Sequence, residues 1–262
     1  MRGWWIIFVS AVACGQQQAT FPSDGEDPKI GGGAELLETV CPGHVETNLQ
    51  VHCHVNCPED TGFAGQERDW DLVSITRGHF LSPLSEDAAL SMSGCETRVS
   101  GRFRGSVLLT RQSGKWVKRW YTPGMVTDNC HKVRLATGRD IPVCLSGDGN
   151  MGLLVSTISS IDLATRRVDH LAQAVDNTGN CGMGTRDHRI QVGSIDRVEF
   201  GTSPGDDGSF SIFGVRGSFT ILPTEDQPCG RPDELRAKLA VNTAPYRIDY
   251  VSDGTTYTRV SK

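Results

Sequence analysis

The sequence predicts an all-β fold: a disulfide-braced sandwich or propeller-like domain of many short antiparallel strands, with one short helix near the C-terminus. Of the 262 residues, 30 are glycine and 12 are proline, and only 37% are hydrophobic. This composition favours short strands and many turns over long helices. Several runs alternate apolar and polar residues with the period of two that is typical of half-buried strands. Nine cysteines add an expectation of disulfide bracing if the chain is exported.

The N-terminus carries the features of an export signal. The apolar run at residues 4–13 is too short to span a bilayer, because a membrane helix needs about 20 residues. The run ends in Ala11-Val12-Ala13-Cys14, which resembles the lipobox of bacterial lipoproteins. The resemblance implies that residues 1–13 are a signal peptide and that Cys14 becomes a lipidated first residue. Because Gly15 is not aspartate, it also implies anchoring to the outer membrane where the cell has one. Ordinary cleavage after Ala13, which would release a soluble secreted protein, is the alternative.

Cysteine parity supports lipidation of Cys14. An odd number of cysteines leaves one thiol unpaired in an exported chain. With Cys14 set aside, the remaining cysteines can form up to four disulfides: Cys41, Cys53, Cys57, Cys95, Cys130, Cys144, Cys181 and Cys229.

Residues 14–33 are predicted to be a disordered, lipidated tether, because this segment is rich in Gly, Gln and Pro and poor in apolar residues. Residues 34–262 then form a single β-rich domain, expected to be a monomer. The net charge of −5 repels phosphate backbones, so nucleic acid is not an expected partner. The expected partners are the membrane, through the lipid, and a glycan or a protein.

The first strand of the domain is predicted at residues 48–57, where apolar and polar residues alternate without interruption. Cys53 and Cys57 lie on its inward face about 13 Å apart, too far to pair with each other. Each should therefore reach a neighbouring segment, and Cys41 is a candidate partner for one of them. His52 and His54 share the outward face. With His44 or Glu46 they could bind zinc, although polar residues on a solvated face are the alternative.

Later segments follow the same logic. Residues 71–76 are a predicted strand, and residues 106–111 and 116–121 form a hairpin around Gln112-Ser113-Gly114-Lys115. A second hairpin around Thr137 would place Cys130 opposite Cys144, with Pro142 at an edge or a bulge. Further strands are predicted at residues 152–161, 194–200, 209–215, 219–221, 246–251 and 256–260, and a helix at Pro232–Ala240.

Three segments, around Cys95, Cys144 and Asp206, share a plan of strand, Gly/Asp-rich turn and strand. This plan resembles the blade units of secreted FG-GAP-type propellers over about half of the domain. A β-sandwich accommodates the strand count equally well.

Two further patterns suggest ligand sites. The Asp/Gly turns at 148–150 and 206–208 offer carboxylates that could bind calcium, although such residues are also ordinary in β-turns. Trp116, Lys118 and Trp120 alternate along one predicted strand and could form an aromatic platform for a glycan. Core packing of the tryptophans is the alternative.

The sequence contains no recognised nucleophile, phosphate-binding or metalloprotease motif. We therefore expect no catalytic residues and no obligatory cofactor, and we expect a non-enzymatic binding or structural module of the cell envelope. The alternative is a surface-anchored hydrolase that uses zinc at the histidines, or the carboxylates of Glu67, Asp69 and Asp71 around Trp70, possibly on glycans.

Overall fold

The computed structural model describes residues 20–59, 61, 63–95, 104–150, 153–178, 189–201, 208–220, 237–239 and 241–260. Its elements, in chain order, are α1 (Gly33–Val40), β1 (Val45–Glu46), β2 (His52–Asn56), β3 (Glu67–Gly78), β4 (Asp87–Ser93), β5 (Arg104–Gln112), β6 (Lys115–Pro123), β7 (Cys130–Arg134), β8 (Asp140–Asn150), β9 (Leu153–Asp162), β10 (Arg167–Asp176), β11 (Arg189–Phe200), β12 (Phe210–Thr220), β13 (Thr243–Ser252) and β14 (Tyr257–Val260).

The strands form three antiparallel sheets in which each strand pairs with its neighbours in the sequence. The first sheet contains β1–β6, the second β7–β10 and the third β11–β14. The described chain is thus an up-and-down meander that is interrupted between β6 and β7 and between β10 and β11. This arrangement confirms the prediction of an all-β, antiparallel fold.

Several strands are longer than the sequence pattern suggested. The predicted strand at residues 71–76 is the central part of β3, which runs from Glu67 to Gly78. A register shift between Leu72 and Ser74 interrupts its alternation. Similar shifts occur in β10 and β11. A bulge adds one residue to a strand, so a strict period-two pattern ends there although the strand continues.

Three apolar clusters hold the sheets together. The first lies on one face of the first sheet, where Leu36 and Leu37 of α1 cover Trp70 and Leu90. The second joins side chains of the second and third sheets, and the third joins the opposite face of the first sheet to the second sheet. The first sheet is therefore covered by α1 on one face and by the second sheet on part of the other, around Ala89 and Leu108. The sequence analysis did not predict α1.

The described part of the predicted tether, residues 20–33, contacts all three sheets. The backbone N–H of Thr20 donates to Asp196 O of the third sheet, and that of Asp24 donates to Cys130 O of the second. Glu26 pairs with Ile75 of the first sheet through an antiparallel bridge. The prediction of a disordered tether that extends to residue 33 is therefore wrong from Thr20 onward, because backbone pairing orders a segment that has few apolar side chains. We call residues 20–33 the strap.

Three disulfides brace the described chain: Cys41–Cys53, Cys57–Cys95 and Cys130–Cys144. As predicted, Cys53 and Cys57 do not pair with each other, and Cys41 is the partner of one of them. Cys130 and Cys144 face each other across the β7–β8 ladder, as the predicted hairpin requires. The predicted disulfide residues Cys181 and Cys229, and the predicted lipidation site Cys14, lie outside the described residues.

Two local predictions can also be compared with the structure. Pro142 pairs with Lys132 of β7, and the pairing of β8 with β9 begins only at Val143, so Pro142 stands where β8 has a single neighbour. Only residues 237–239 of the predicted Pro232–Ala240 helix are described, and they are helical. Within the described ranges, no helix has the length and apolar character to cross a membrane.

Candidate functional site

The most distinctive polar surface lies on the outward side of the first three strands. The ladder places Glu46 opposite His52, His52 opposite Asp71, and His54 opposite Asp69. Side chains of paired residues in neighbouring strands project to the same side of a sheet. We call the resulting surface the His/carboxylate face, which consists of Glu46, His52, His54, Glu67, Asp69 and Asp71.

Both histidines of this face contact carboxylates. Nδ1 of His54 donates to Asp69 Oδ1 at 2.8 Å, and Nε2 of His54 lies 3.3 Å from Glu67 Oε1. Nε2 of His52 lies 3.7 Å from Glu46 Oε2. The carboxylates remain accessible, since the side chains of Glu67 and Asp69 are 70% and 64% exposed. The face thus presents the carboxylates of Glu46, Glu67 and Asp69 and the imidazole of His54 to solvent, while His52 and Asp71 are partly buried.

These contacts shift the pKa values within the face. The hydrogen bond from His54 lowers the pKa of Asp69, and the same hydrogen bond raises the pKa of His54, with further contributions from the charges of Glu67, Asp69 and Glu46. Burial raises the pKa of Asp71, which lies further into the sheet. The His54–Asp69 pair therefore favours the imidazolium–carboxylate state over a wider pH range than isolated groups would.

The inward side of the same strands is rigidly packed. Cys53 and Cys57 are buried beneath the face, and their disulfides connect β2 to the segment after α1 and to the end of β4. Trp70 of β3 is also buried and packs edge-to-face on Tyr121, with ring centroids 5.1 Å apart. Covalent and aromatic packing therefore holds the backbone that carries the polar groups.

A shallow, open groove of about 420 Å³ adjoins the face. Its lining combines β1, β2 and the start of β3, and contains Gly43, His44, Val45, Glu46, His54, Val55, Asn56 and Glu67. The groove extends the charged surface past His54 toward His44, so a ligand in it would contact carboxylates and imidazoles together.

No family model, curated protein or solved structure matches this chain.

The predicted zinc site at His44, His52 and His54 does not form in this arrangement. Among the described residues, no three His, Cys, Asp or Glu side chains are placed to hold a metal ion. Both ring nitrogens of His54 already face carboxylates. Adjacent outward positions on one strand are about 6.5–7 Å apart, which lets each imidazole pair across the ladder instead of converging with the other.

The predicted aromatic platform is also absent, because Trp116 and Trp120 lie on opposite faces of the sheet. The register pairs Leu108 with Trp120 and places Lys118 opposite the next residue of β5, so Arg119 is the extra residue of a bulge. Trp116 packs against the cluster under α1, whereas Trp120 packs toward the second sheet. Lys118 is exposed on the side of Trp116.

The predicted calcium-binding turn at residues 148–150 is not a turn in the structure. Asp148 is not in a turn, since it pairs with Val155 in the β8–β9 ladder and the hairpin reverses further on. Asp206 and Asp207 of the second predicted turn lie outside the described residues.

The carboxylates of the hydrolase hypothesis lie together in the structure, but the sequence analysis did not predict their partners. Glu67, Asp69 and Asp71 alternate with buried Trp70, as strand periodicity requires, and share one face of β3. Their pairing with the histidines of β2 was missed, although combining the alternation of both segments with an antiparallel register could have revealed it. A separate Ser–His contact, Ser159 Oγ to His170 Nδ1 at 2.9 Å, joins β9 to β10, but Ser159 is buried.

Proposed function

We propose that this protein is a lipid-anchored binding module of the bacterial cell envelope, without catalytic activity, and that its binding surface is the His/carboxylate face. The observation that carries the proposal is the placement of accessible carboxylates on a sheet whose opposite side is cross-linked by two disulfides. A ligand with clustered positive charges, such as a Lys- or Arg-rich segment of another envelope protein, is the partner that this surface fits.

Electrostatics supports a cationic partner. The face carries four carboxylates and two histidines, so its net charge is negative even with both imidazoles protonated. Exposed single ion pairs contribute only about 0–1 kcal/mol, but several charges on a rigid surface act together and also steer association. The rigid backbone reduces the entropy that would be lost when the carboxylates are ordered by a ligand.

Disulfides support an extracytoplasmic location. Disulfide bonds persist in oxidising compartments and are rare in the cytosol. Together with the lipobox-like Ala11-Val12-Ala13-Cys14, they support processing to a lipidated Cys14 and retention at a membrane. Thr20, where the strap begins, is six residues after Cys14 in the sequence, so their span is at most about 21 Å. The anchor would therefore hold the sheets close to the bilayer.

Of the two architectures that the sequence left open, we favour a propeller-like one. The strand order within every sheet is a simple meander, as in propeller blades, whereas many sandwiches use Greek-key connections. The three sheets of the described residues are fewer than the four to eight blades of typical propellers. The proposal is accordingly a stack of three blade-like sheets.

The binding proposal is tested by titrating the full mature protein with a hexalysine peptide in low-salt buffer and following the amide signals of β2 and β3 by NMR. We expect saturable shifts that weaken with added salt. Glu67→Gln/Asp69→Asn should weaken binding at least several-fold. Glu199→Gln/Asp249→Asn, which removes the same charge from the third sheet, is the matched control and should bind as the wild type does. Equal weakening in both variants would show that the peptide binds by nonspecific charge attraction, and would contradict a binding site on the His/carboxylate face.

The anchoring proposal has its own test. Cys14→Ala should move the protein from the membrane fraction to the soluble fraction of an exporting bacterial host. Unchanged partitioning would rule out lipidation at this residue.

A further inference from the structure

A row of hydroxyl groups crosses four strands of the first sheet on the side that faces the second sheet. The register pairs Ser74 with Ser91, Ser91 with Ser106, and Ser106 with Thr122. We call these four residues the hydroxyl row. Ser91 and Ser106 have no exposed surface, and Ser74 is 8% exposed.

Most of the row has no protein partner. Within the part of the chain that the structure describes, Ser74 Oγ, Ser91 Oγ and Thr122 Oγ1 are buried and make no hydrogen bond to protein atoms. Ser106 is the exception, since its Oγ lies 2.7 Å from Met125 O and 2.8 Å from Thr127 Oγ1. Buried hydroxyls without partners are rare in proteins, because each one left unsatisfied is costly.

The neighbouring row contains two more such groups. Thr76 Oγ1 and Trp120 Nε1 are also buried without a protein partner. Thr76 and Trp120 both occupy this row, since Thr76 pairs with Ala89, Ala89 with Leu108, and Leu108 with Trp120. These five unpartnered groups therefore lie on one side of the first sheet.

In the rotamers that the structure describes, Ser74, Ser91 and Thr122 do not hydrogen-bond to one another. Directly opposed residues in an antiparallel sheet have Cα atoms about 4.5–5.5 Å apart. Hydroxyl oxygens that keep roughly that separation lie beyond hydrogen-bonding distance of each other. One water that makes two bonds of about 2.8 Å can span up to about 5.6 Å and so fits between neighbouring hydroxyls.

The surrounding backbone encloses the row. The segment between β6 and β7 crosses its middle, where Met125 and Thr127 contact Ser106. The strap passes over one end, where a Cβ atom placed on Gly25 would lie 3.7 Å from Ser74 Cβ and 3.1 Å from Asp128 O. Waters held here would be sequestered from bulk solvent.

We infer that the hydroxyl row is a binding site for a line of internal water molecules, which bridge Ser74, Ser91, Ser106 and Thr122 between the first and second sheets. Buried waters of this kind make two to four hydrogen bonds to otherwise unsatisfied groups and are part of the folded structure. The interface between these two sheets is therefore partly hydrated and partly apolar, with the apolar cluster around Leu108 beside the waters.

The test counts long-lived internal waters of the full mature protein by oxygen-17 magnetic relaxation dispersion and compares Ser91→Ala with wild type. We expect Ser91→Ala to lose at least one long-lived water and to melt at a lower temperature. Ser218→Ala, in the third sheet, is the control and should leave the water count unchanged. If Ser91→Ala does not fold, Thr122→Val, a near-isosteric change on β6, takes its place with the same expectation.

The water count decides the outcome. A count that is unchanged in Ser91→Ala overturns the inference, whatever the melting temperature does. If the hydroxyl row binds no water, Ser91→Ala should instead raise the melting temperature, because alanine removes an unsatisfied buried hydroxyl. This result is independent of the binding proposal, since none of these residues belongs to the His/carboxylate face.

Discussion

Asp87 connects the loop after β3 to the first sheet, and its replacement by alanine should destabilise the protein strongly. The side chain is buried at the start of β4. Its Oδ2 accepts hydrogen bonds from the backbone N–H of Phe80 and of Leu81, both at 2.8 Å, and from Ser85 Oγ at 2.5 Å. Asp87→Ala removes all three and leaves two backbone donors without an acceptor.

The magnitude follows from these contacts. Hydrogen bonds to a charged group are each worth about 1.5–3 kcal/mol, and an unsatisfied buried donor costs about 1–3 kcal/mol. Part of this loss is offset because the variant no longer buries a carboxylate. We expect a loss of about 3–5 kcal/mol in the free energy of unfolding. Asp87→Asn keeps an acceptor oxygen and should lose about 1–2 kcal/mol.

Urea denaturation of the oxidised protein, followed by tryptophan fluorescence, measures these values. The adjacent Glu86 is the matched control, because its carboxylate is 57% exposed and its contact with Arg111, at 2.9 Å, is a surface ion pair. Glu86→Ala should lose less than about 1 kcal/mol. The reasoning is refuted if Asp87→Ala is no less stable than Glu86→Ala.

The remaining predictions concern the disulfides, the face and the strap. Replacing Cys130 and Cys144 by serine should lower the free energy of unfolding by about 3 kcal/mol in urea denaturation, as expected for a closed loop of about 15 residues. An NMR titration should place the pKa of His54 above 6.5 in the wild type and lower it in Asp69→Asn. The pair therefore stabilises the fold below the ordinary histidine pKa, loses this effect as pH rises through the folded-state His54 value, and loses it again as pH falls through the lowered Asp69 value. Asp24→Ala removes the acceptor of the Lys132 N–H, at 2.6 Å, and should make the strap a preferred site of limited proteolysis.

Local patterns in the sequence predicted much of the fold. The alternation at residues 48–57 predicted that Cys53 points inward and His54 outward. In the structure Cys53 is buried and His54 is exposed. Ser113 and Gly114, in the turn of the β5–β6 hairpin, have positive φ angles of 50° and 81°. Tight hairpin turns require such angles, and the glycine in the predicted turn is consistent with them.

What the sequence did not reveal depends on long-range pairing. The strap has a composition typical of a disordered linker, and long-range backbone and side-chain contacts to three separate sheets order it. The bulge at Arg119 moved Trp120 to the other side of the sheet from Trp116, and no local pattern marks that extra residue. Likewise, the partners of His54 come from a strand whose register is set by tertiary packing.

The central claim is that sulfur in this chain braces an exported domain, apart from one cysteine that carries the lipid. Peptide mapping of the protein isolated from an exporting bacterial host, with thiols blocked before any reduction, tests it most directly. The account predicts an acylated peptide that begins at Cys14 and cross-linked peptides joining Cys41 to Cys53, Cys57 to Cys95, and Cys130 to Cys144. Blocked, unpaired thiols at these six positions, or a mature chain whose Cys14 carries no acyl group, would contradict it.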